Sequence, residues 1–403
     1  MRLNTTWLIY LCTLMLMTTG IVMVYSSSAA IAARETMRKA TEPGKDLKDP
    51  DAIVQTSTHS TYYLQRQVIF AAIAVIAMLL TYQIDYERYK KYATPLLCLS
   101  LLMLILVYVP HIGVARKGAR RWLNAGILIQ SSEFAKLAMI LYMAKKLCDR
   151  QSDLKSFARG FLPSLMVLGL FLALIVKEPD LGASVMLGII VFAMWYVSGM
   201  RIIHLCSLGI AAIPLVTYEV FSKAYRLKRM IAYLDPFAKE IRQSTGWQLV
   251  QSLISVSTGG VSGVGLGQGP QKYQFLSEGH TDFIFAGICE ETGMAGAMFI
   301  FAIYAFFMIQ GIRVASRAPD MYGSLLATGI TIMIGVQSFV NMYVVVGLLP
   351  TKGLTLPLVS YGGSSLVING IAVGILMNVS RFTEIAANPS RARAAIAPVP
   401  AHA

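Results

Sequence analysis

Charge is scarce in this chain: 14% of its 403 residues are Asp, Glu, Lys or Arg, against 56% hydrophobic ones. Soluble globular domains carry about 25% charged residues, so that class is excluded. Cysteine and histidine are scarce too, with five of each. Cys12, Cys98, Cys148, Cys206 and Cys289 stand in or at the ends of apolar runs without metal or redox spacing, and read as small packing residues. The dispersed histidines argue against a metal centre built from His and Cys. Acids number 21 against 35 Lys and Arg, a net charge of +14. The long Lys/Arg tracts of a nucleic-acid arm are nevertheless missing, so no nucleic acid is expected as a partner. Missing as well are a G-x-x-x-x-G-K-[ST] phosphate loop and any repeat of solenoid period.

What is present is apolar sequence cut into lengths that suit a bilayer of about 30 Å. Ten runs stand out, at 7–25, 67–81, 93–109, 132–147, 157–176, 182–198, 205–221, 283–311, 323–347 and 363–379. The first could pass for a signal peptide, but nine further runs follow and no clear cleavage site intervenes, so it is read as a retained span. The expected fold is an all-α polytopic membrane protein of about ten transmembrane helices. It forms a single membrane domain over residues 1–381, followed by a disordered cytoplasmic tail at 382–403.

With the N-terminus in the cytoplasm, Arg88, Lys90, Lys91, Lys145, Lys146, Arg150, Arg159, Arg313, Arg317 and Arg381 fall inside, as the positive-inside rule asks. Both termini are then cytoplasmic. The outer loops run at about 26–66, 110–131, 222–282 and 348–362. Two of them are basic against the rule, which suggests an anionic ligand. Anionic lipid headgroups or a lipid-linked anionic substrate are the expected targets.

Residues 246–293 hold the most unusual chemistry. They start as an amphipathic stretch, with Trp247, Leu249, Val250, Leu253 and Ile254 apolar, in a pattern that suits a helix lying in the membrane interface. Glycines at 259, 260, 263, 265, 267 and 269 follow, permitting tight turns and close backbone approach to a ligand, or merely a flexible connector. Asp282 stands at the mouth of the eighth span, beside Glu278, His280 and Thr281. Thr281 could cap the helix while Asp282 complements its dipole. An acid against an apolar wall is also a candidate general base, and the two readings are compatible.

Glu133 and Lys136 lie three apart on one face of the fourth span, as a structural ion pair or a substrate contact. Arg116, Arg120 and Arg121 precede them with Trp122: guanidiniums grip phosphate in a fork, and the indole can stack on a sugar or anchor at the interface. Glu178-Pro179-Asp180 fills a short turn, as turn chemistry or as partner to the outer arginines. Residues 348–365, with Lys352 and Gly362-Gly363, join the last two spans in non-helical backbone that must be buried or line a cavity.

These segments, in this order, resemble the SEDS family (shape, elongation, division and sporulation). The likeness runs through VYSSS from Val24, ARRWLNAG, SSEFAK, KEPDLGAS, GWQLVQS, GVGLGQG, HTDFIF with EETG, and LPTKGLTLPLVSYGGSS. QKYQFLSEGHTDF and LPTKGLTLPL lie nearer the division branch than the elongation branch. Ser131-Ser132 stand where the family commonly has Gln-Pro, and the first outer loop is longer than the family's. The resemblance implies a glycosyltransferase that polymerises lipid II, with a lipid-linked glycan strand as donor. Asp282 matches the family's catalytic aspartate. Arg120, Arg121, Trp122, His280, Lys136 and Lys352 would contact substrate, pyrophosphate above all, with Glu133 positioning Lys136. No cofactor is required by the sequence, no metal ligands are assigned, and a divalent cation such as Mg or Mn could assist. Expected partners are a class B penicillin-binding protein transpeptidase and other division-complex proteins at the septum of the bacterial cytoplasmic membrane. The rival readings are a lipid II flippase or transporter, whose ionisable groups should cluster near the bilayer midplane, and a non-catalytic scaffold.

Overall fold

The computed structural model describes residues 4–40, 50–116, 119–124, 128–242, 244, 246–270 and 279–387. Every expected span becomes a helix. The first seven are α1 (Thr5–Ala40), α2 (Pro50–Gln83), α3 (Tyr89–Leu106), α4 (Ser131–Asp149), α5 (Leu162–Lys177), α6 (Leu181–Val197) and α7 (Ile202–Phe221). Two shorter helices of more than ten residues follow, α8 (Ala224–Leu234) and α9 (Trp247–Gly259), and then the last three spans, α10 (Ile284–Arg317), α11 (Met321–Val345) and α12 (Gly363–Ala387). Eight of the ten are long and apolar enough to cross a membrane on that ground alone. The exceptions are α6, at 17 residues, and α4, which carries Glu133, Lys136, Lys145, Lys146 and Asp149; the bundle buries it along most of its length.

The centre of the bundle is set by how much of each helix is covered. Of the apolar stretches of α11 and α12, 72% and 78% are buried, against 6% for α7, which is left to lipid. Small residues let the central helices approach. A side chain at Gly370 or Gly374 of α12 would collide with the α2 backbone at Ala74 or Met78, and one at Gly329 of α11 with Ile140 and Met194.

Three expectations need correction. The first outer loop is largely helical: α1 continues to Ala40 and α2 begins at Pro50, a residue suited to the first helical position. Alanines at 29, 30, 32 and 33, good helix formers, carry the helix past the apolar stretch. The second outer loop folds as a three-stranded antiparallel sheet, β1 (Gly113–Arg116), β2 (Ala119–Asn124) and β3 (Leu128–Gln130), within the helical membrane fold that was expected. Helix α9 does not lie on the membrane surface. Its polar face is buried, and Ser252 donates to the Val345 carbonyl at 2.7 Å, so it packs as an interior element. The amphipathic surface helix is instead α8, which exposes Tyr225, Ile231 and Leu234. Finally, α12 runs six residues into the expected tail, to Ala387, and the rest of that tail lies outside the described residues.

Candidate active site

The glycine-rich segment is held by hydrogen bonds rather than left as a flexible connector. It mends a break in α10. Gly293 leaves the helix at φ 67°, ψ −167°, which would orphan four backbone groups. The glycine loop satisfies them: Met294 and Ala295 donate to the carbonyls of Gly260 and Val261, while Val264 and Gly265 donate to those of Glu290 and Glu291. A Cβ on Gly263 would overlap the Glu291 carbonyl, so the approach requires glycine. The Glu291 carboxylate closes the clasp, accepting from Ser26 Oγ of α1 at 2.6 Å and from the Gly267 N–H at 3.0 Å.

Below the clasp, α10 begins beside Asp282. The N-cap position is taken by Phe283 and not, as expected, by Thr281. Its carbonyl instead accepts from Ser360 Oγ at 2.7 Å, and the His280 carbonyl accepts from the Tyr361 N–H at 2.9 Å. The segment from Lys352 to Tyr361 is thereby laid against residues 280–282. As expected, it is non-helical and buried, with Leu354, Leu356, Leu358 and Val359 in the core. A methyl group on Gly353 would stand 3.2 Å from Asp282 Oδ2, so the carboxylate lies over Gly353, next to Lys352 in the chain. Burial lowers the Lys352 ammonium from the ordinary lysine value. His280 packs against the rings of Tyr63 and Tyr361, with centroids at 5.6 and 5.8 Å.

Two polar residues four apart on one face of α11 hold this arrangement. Asn341 Nδ2 donates to the carbonyls of Asp282 at 2.8 Å and Leu354 at 2.6 Å. Gln337 Nε2 donates to the Thr355 carbonyl at 3.0 Å, and its Oε1 accepts from Lys136 Nζ at 2.6 Å. Lys136 also pairs with Glu133 at 2.7 Å, and Ser365 Oγ donates to the second oxygen of Glu133 at 3.2 Å. The pair is thus the structural one of the two alternatives: Lys136 is 1% exposed, with two short acceptors, and offers no face to a pyrophosphate in this conformation.

The arginines divide. In β2 the pairing runs Val114 to Trp122 and then Ala115 to Arg120, so Arg121 is the extra residue of a bulge. The bulge aims it into the Glu178-Pro179-Asp180 turn. Arg121 Nε and Nη2 donate to the carbonyls of Glu178 at 3.2 Å and Pro179 at 2.5 Å, and Nη1 stands 3.6 Å from Asp180 Oδ2. Its fork is used on protein, not held ready for phosphate. Arg120 is exposed and Trp122 half-buried beside it. Asp180 caps α6 through the Ala183 N–H at 3.0 Å. Glu178 is buried, accepts weakly from Ser131 Oγ at 3.3 Å, and titrates near about 8, pushed up by burial and by Asp180. Ser131, one of the two serines that replace Gln-Pro, therefore has a partner of its own. A Cβ on Gly182 would touch Leu354, which sets this turn against the Asp282 segment. Arg116 has no described side chain, and Glu278 lies outside the described residues.

Gln337, Asn341, Ser360, Tyr63, Tyr361 and Glu291 were not anticipated. The first two carried a usable signal, since polar residues one turn apart inside an apolar span need partners. The aromatic pair around His280 carried none.

A multi-pass helical membrane protein with a buried re-entrant segment laid against Asp282 is the class this architecture defines. Within that class, residues 50–385 match the model of the FtsW/RodA/SpoVE cell cycle proteins, and the chain belongs to that family. It is 41% identical to a probable peptidoglycan glycosyltransferase FtsW of Trichlorobacter lovleyi, over 91% of each chain. It is also 41% identical to stage V sporulation protein E of Bacillus subtilis, over 93% of this chain and 97% of that one. Among solved structures, a chain of a peptidoglycan synthase complex that coordinates polymerization and crosslinking superposes with a TM-score of 0.67 at 27% identity, covering 90% of this chain and 97% of that one. The rod shape determining protein RodA of Thermus thermophilus shares the fold, with a TM-score of 0.64 at 23% identity, over 93% of this chain and 96% of that one.

Proposed function

We propose that this chain is a peptidoglycan glycosyltransferase of cell division, joining lipid II units into glycan strands at the outer face of the cytoplasmic membrane. The observation that carries this reading is the Asp282 carboxylate over Gly353, beside Lys352 in the chain, in a buried re-entrant segment of a family whose relatives bear that name. Asp282 takes the proton of the acceptor sugar hydroxyl as that oxygen attacks the anomeric carbon of the lipid-linked strand. The bond to pyrophosphate breaks on the opposite face, so the configuration inverts and the lipid pyrophosphate leaves. Arg120 and Lys352 meet the leaving charge, with Trp122 and His280 as sugar contacts. Arg121, Glu133 and Lys136 act one step back, by fixing the turn and helix behind them. A divalent cation could arrive on the pyrophosphate itself, as Mg²⁺ commonly does.

A class B penicillin-binding protein is the proposed partner, since the described loops hold no domain large enough for crosslinking. Its expected docking face, the small-residue-rich eighth and ninth spans α10 and α11, narrows. Gly323 and Gly329 of α11 pack inside the bundle, against Asp320 and Val379 and against Ile140 and Met194. Of these two spans, α10 is the one that exposes a row of apolar side chains, Met294, Met298 and Phe299. A flippase reading is disfavoured because the buried acids and cations gather at one end of the bundle. The test is polymerisation of labelled lipid II by the purified protein, alone and with a candidate transpeptidase. Long glycan strands support the proposal; lipid II translocation without polymer would replace it with the flippase.

A further inference from the structure

At the end of the bundle far from Asp282, the ends of α1, α2 and α12 open a cavity of ≈ 410 Å³, in the size range of small-molecule sites. α12 starts beside the re-entrant segment at Gly363, and Arg381 stands eighteen residues further on, about 27 Å along the helix. The apolar stretches of all three helices end here, which puts the cavity at headgroup level in the opposite leaflet from the proposed active site.

Its polar groups are of two kinds. Arg381 is exposed, and its guanidinium lies over the Tyr82 ring, 5.8 Å from the centroid. Glu384 shares a helix face with Arg381, three residues away, yet neither forms an ion pair among the described residues. One Glu384 oxygen accepts the Thr6 N–H at 3.4 Å, capping the start of α1; the other has no donor among the described residues. Trp7 is 63% exposed and meets Tyr10 edge-on at 5.8 Å, an aromatic pair of the sort that sits at the membrane interface. Leu79 and Met377 continue the wall toward the hydrocarbon.

An exposed arginine near a helix C-terminus needs no ligand, because it complements the dipole and obeys the positive-inside rule. Glu384 is the residue that this explanation leaves over: an acid in the last turn of α12 that caps α1 through one oxygen and lines the cavity beside Arg381. We propose that the cavity binds the headgroup of a phospholipid bearing a primary ammonium, of the phosphatidylethanolamine class. Arg381 takes the phosphodiester, and Glu384 accepts from the ammonium, with Trp7, Tyr10 and Tyr82 facing the cation. An anionic headgroup would meet Glu384 with like charge. A quaternary ammonium has no N–H to donate to it.

The test uses the full-length purified protein and native mass spectrometry with phosphatidylethanolamine, phosphatidylcholine and phosphatidylglycerol added singly. The wild type should retain the first about tenfold better than the others, the worth of one charge-assisted hydrogen bond. Glu384→Gln keeps the Thr6 bond and should bring phosphatidylethanolamine down to the phosphatidylcholine level, while Arg381→Gln should lower both. Equal retention of the two lipids by the wild type, or an unchanged preference in Glu384→Gln, overturns the proposal. Competition by soluble phosphoethanolamine as strong as by the lipid would mark a free-phosphate site and overturn it too. So would a truncation after Ala387 that raises lipid retention several-fold, since the chain's own tail would then be the occupant.

Discussion

Asn341 holds Asp282 by its backbone, not by its carboxylate: one amide nitrogen donates to the carbonyls of both Asp282 and Leu354. The acid's backbone and the re-entrant segment beneath it are therefore tied to the same side chain of α11. Asn341→Asp keeps the size but removes the donor, leaving two carbonyls unsatisfied at about 1–3 kcal/mol each. The expected result is a large fall in kcat with little change in KM for lipid II, and a lowered melting temperature. Wild-type kcat in Asn341→Asp would show that this bond does not position the base.

The buried pair Glu133–Lys136 makes a stability prediction. Lys136→Met strands a buried carboxylate and should cost about 3–5 kcal/mol, while Glu133→Leu combined with Lys136→Met should recover most of that loss. Thermal melting in detergent measures both. A double variant as unstable as the single one would mean that packing, rather than the unpaired charge, sets the cost.

The two arginines of β2 should fail in different ways. Arg121→Lys loses the fork that holds the Glu178–Asp180 turn, so it should lower the melting temperature and, through it, activity. Arg120→Ala, on an exposed side chain, should leave melting unchanged and raise KM for lipid II. Identical phenotypes would contradict the division made by the bulge.

Glu178 gives a pH dependence. Its folded-state value near about 8 lies above the ordinary 4.5, so between these the folded protein keeps a proton that the unfolded chain has released. Stability from this group is then fully present below about pH 4.5 and lost as pH rises through about 8. Glu178→Gln should melt like the wild type at pH 5 and about 5 °C or more above it at pH 8. A parallel offset at both pH values would show that Glu178 is ionised throughout.

The spans were legible because a helix must carry about 20 apolar residues to cross hydrocarbon, and little else in a sequence looks like that. The re-entrant segment after Leu348 was legible for a related reason, as prolines and glycines at membrane depth need cover. The sheet was not: β3 has three residues, and the bulge that re-aims Arg121 depends on the pairing register, which neighbouring strands set together. The glycine clasp was misread because its partner, the break at Gly293, lies more than twenty residues downstream. Helix α9 was misplaced because the rule that polar faces seek water fails when Ser252 finds a carbonyl of α11. Of the candidate site, the acid and the cations could be named, but that Arg121 and Lys136 bind protein required the fold.

The central claim is that Asp282 is the base of glycan polymerisation. Purified wild type and Asp282→Asn are compared by the length and rate of product formed from labelled lipid II. The asparagine has the same shape and the same backbone contacts but cannot take a proton. The account predicts that polymer formation drops by about a hundredfold or more, the scale of general-base catalysis, with the melting temperature and lipid II binding preserved. Polymerisation at the wild-type rate by a folded Asp282→Asn would contradict it.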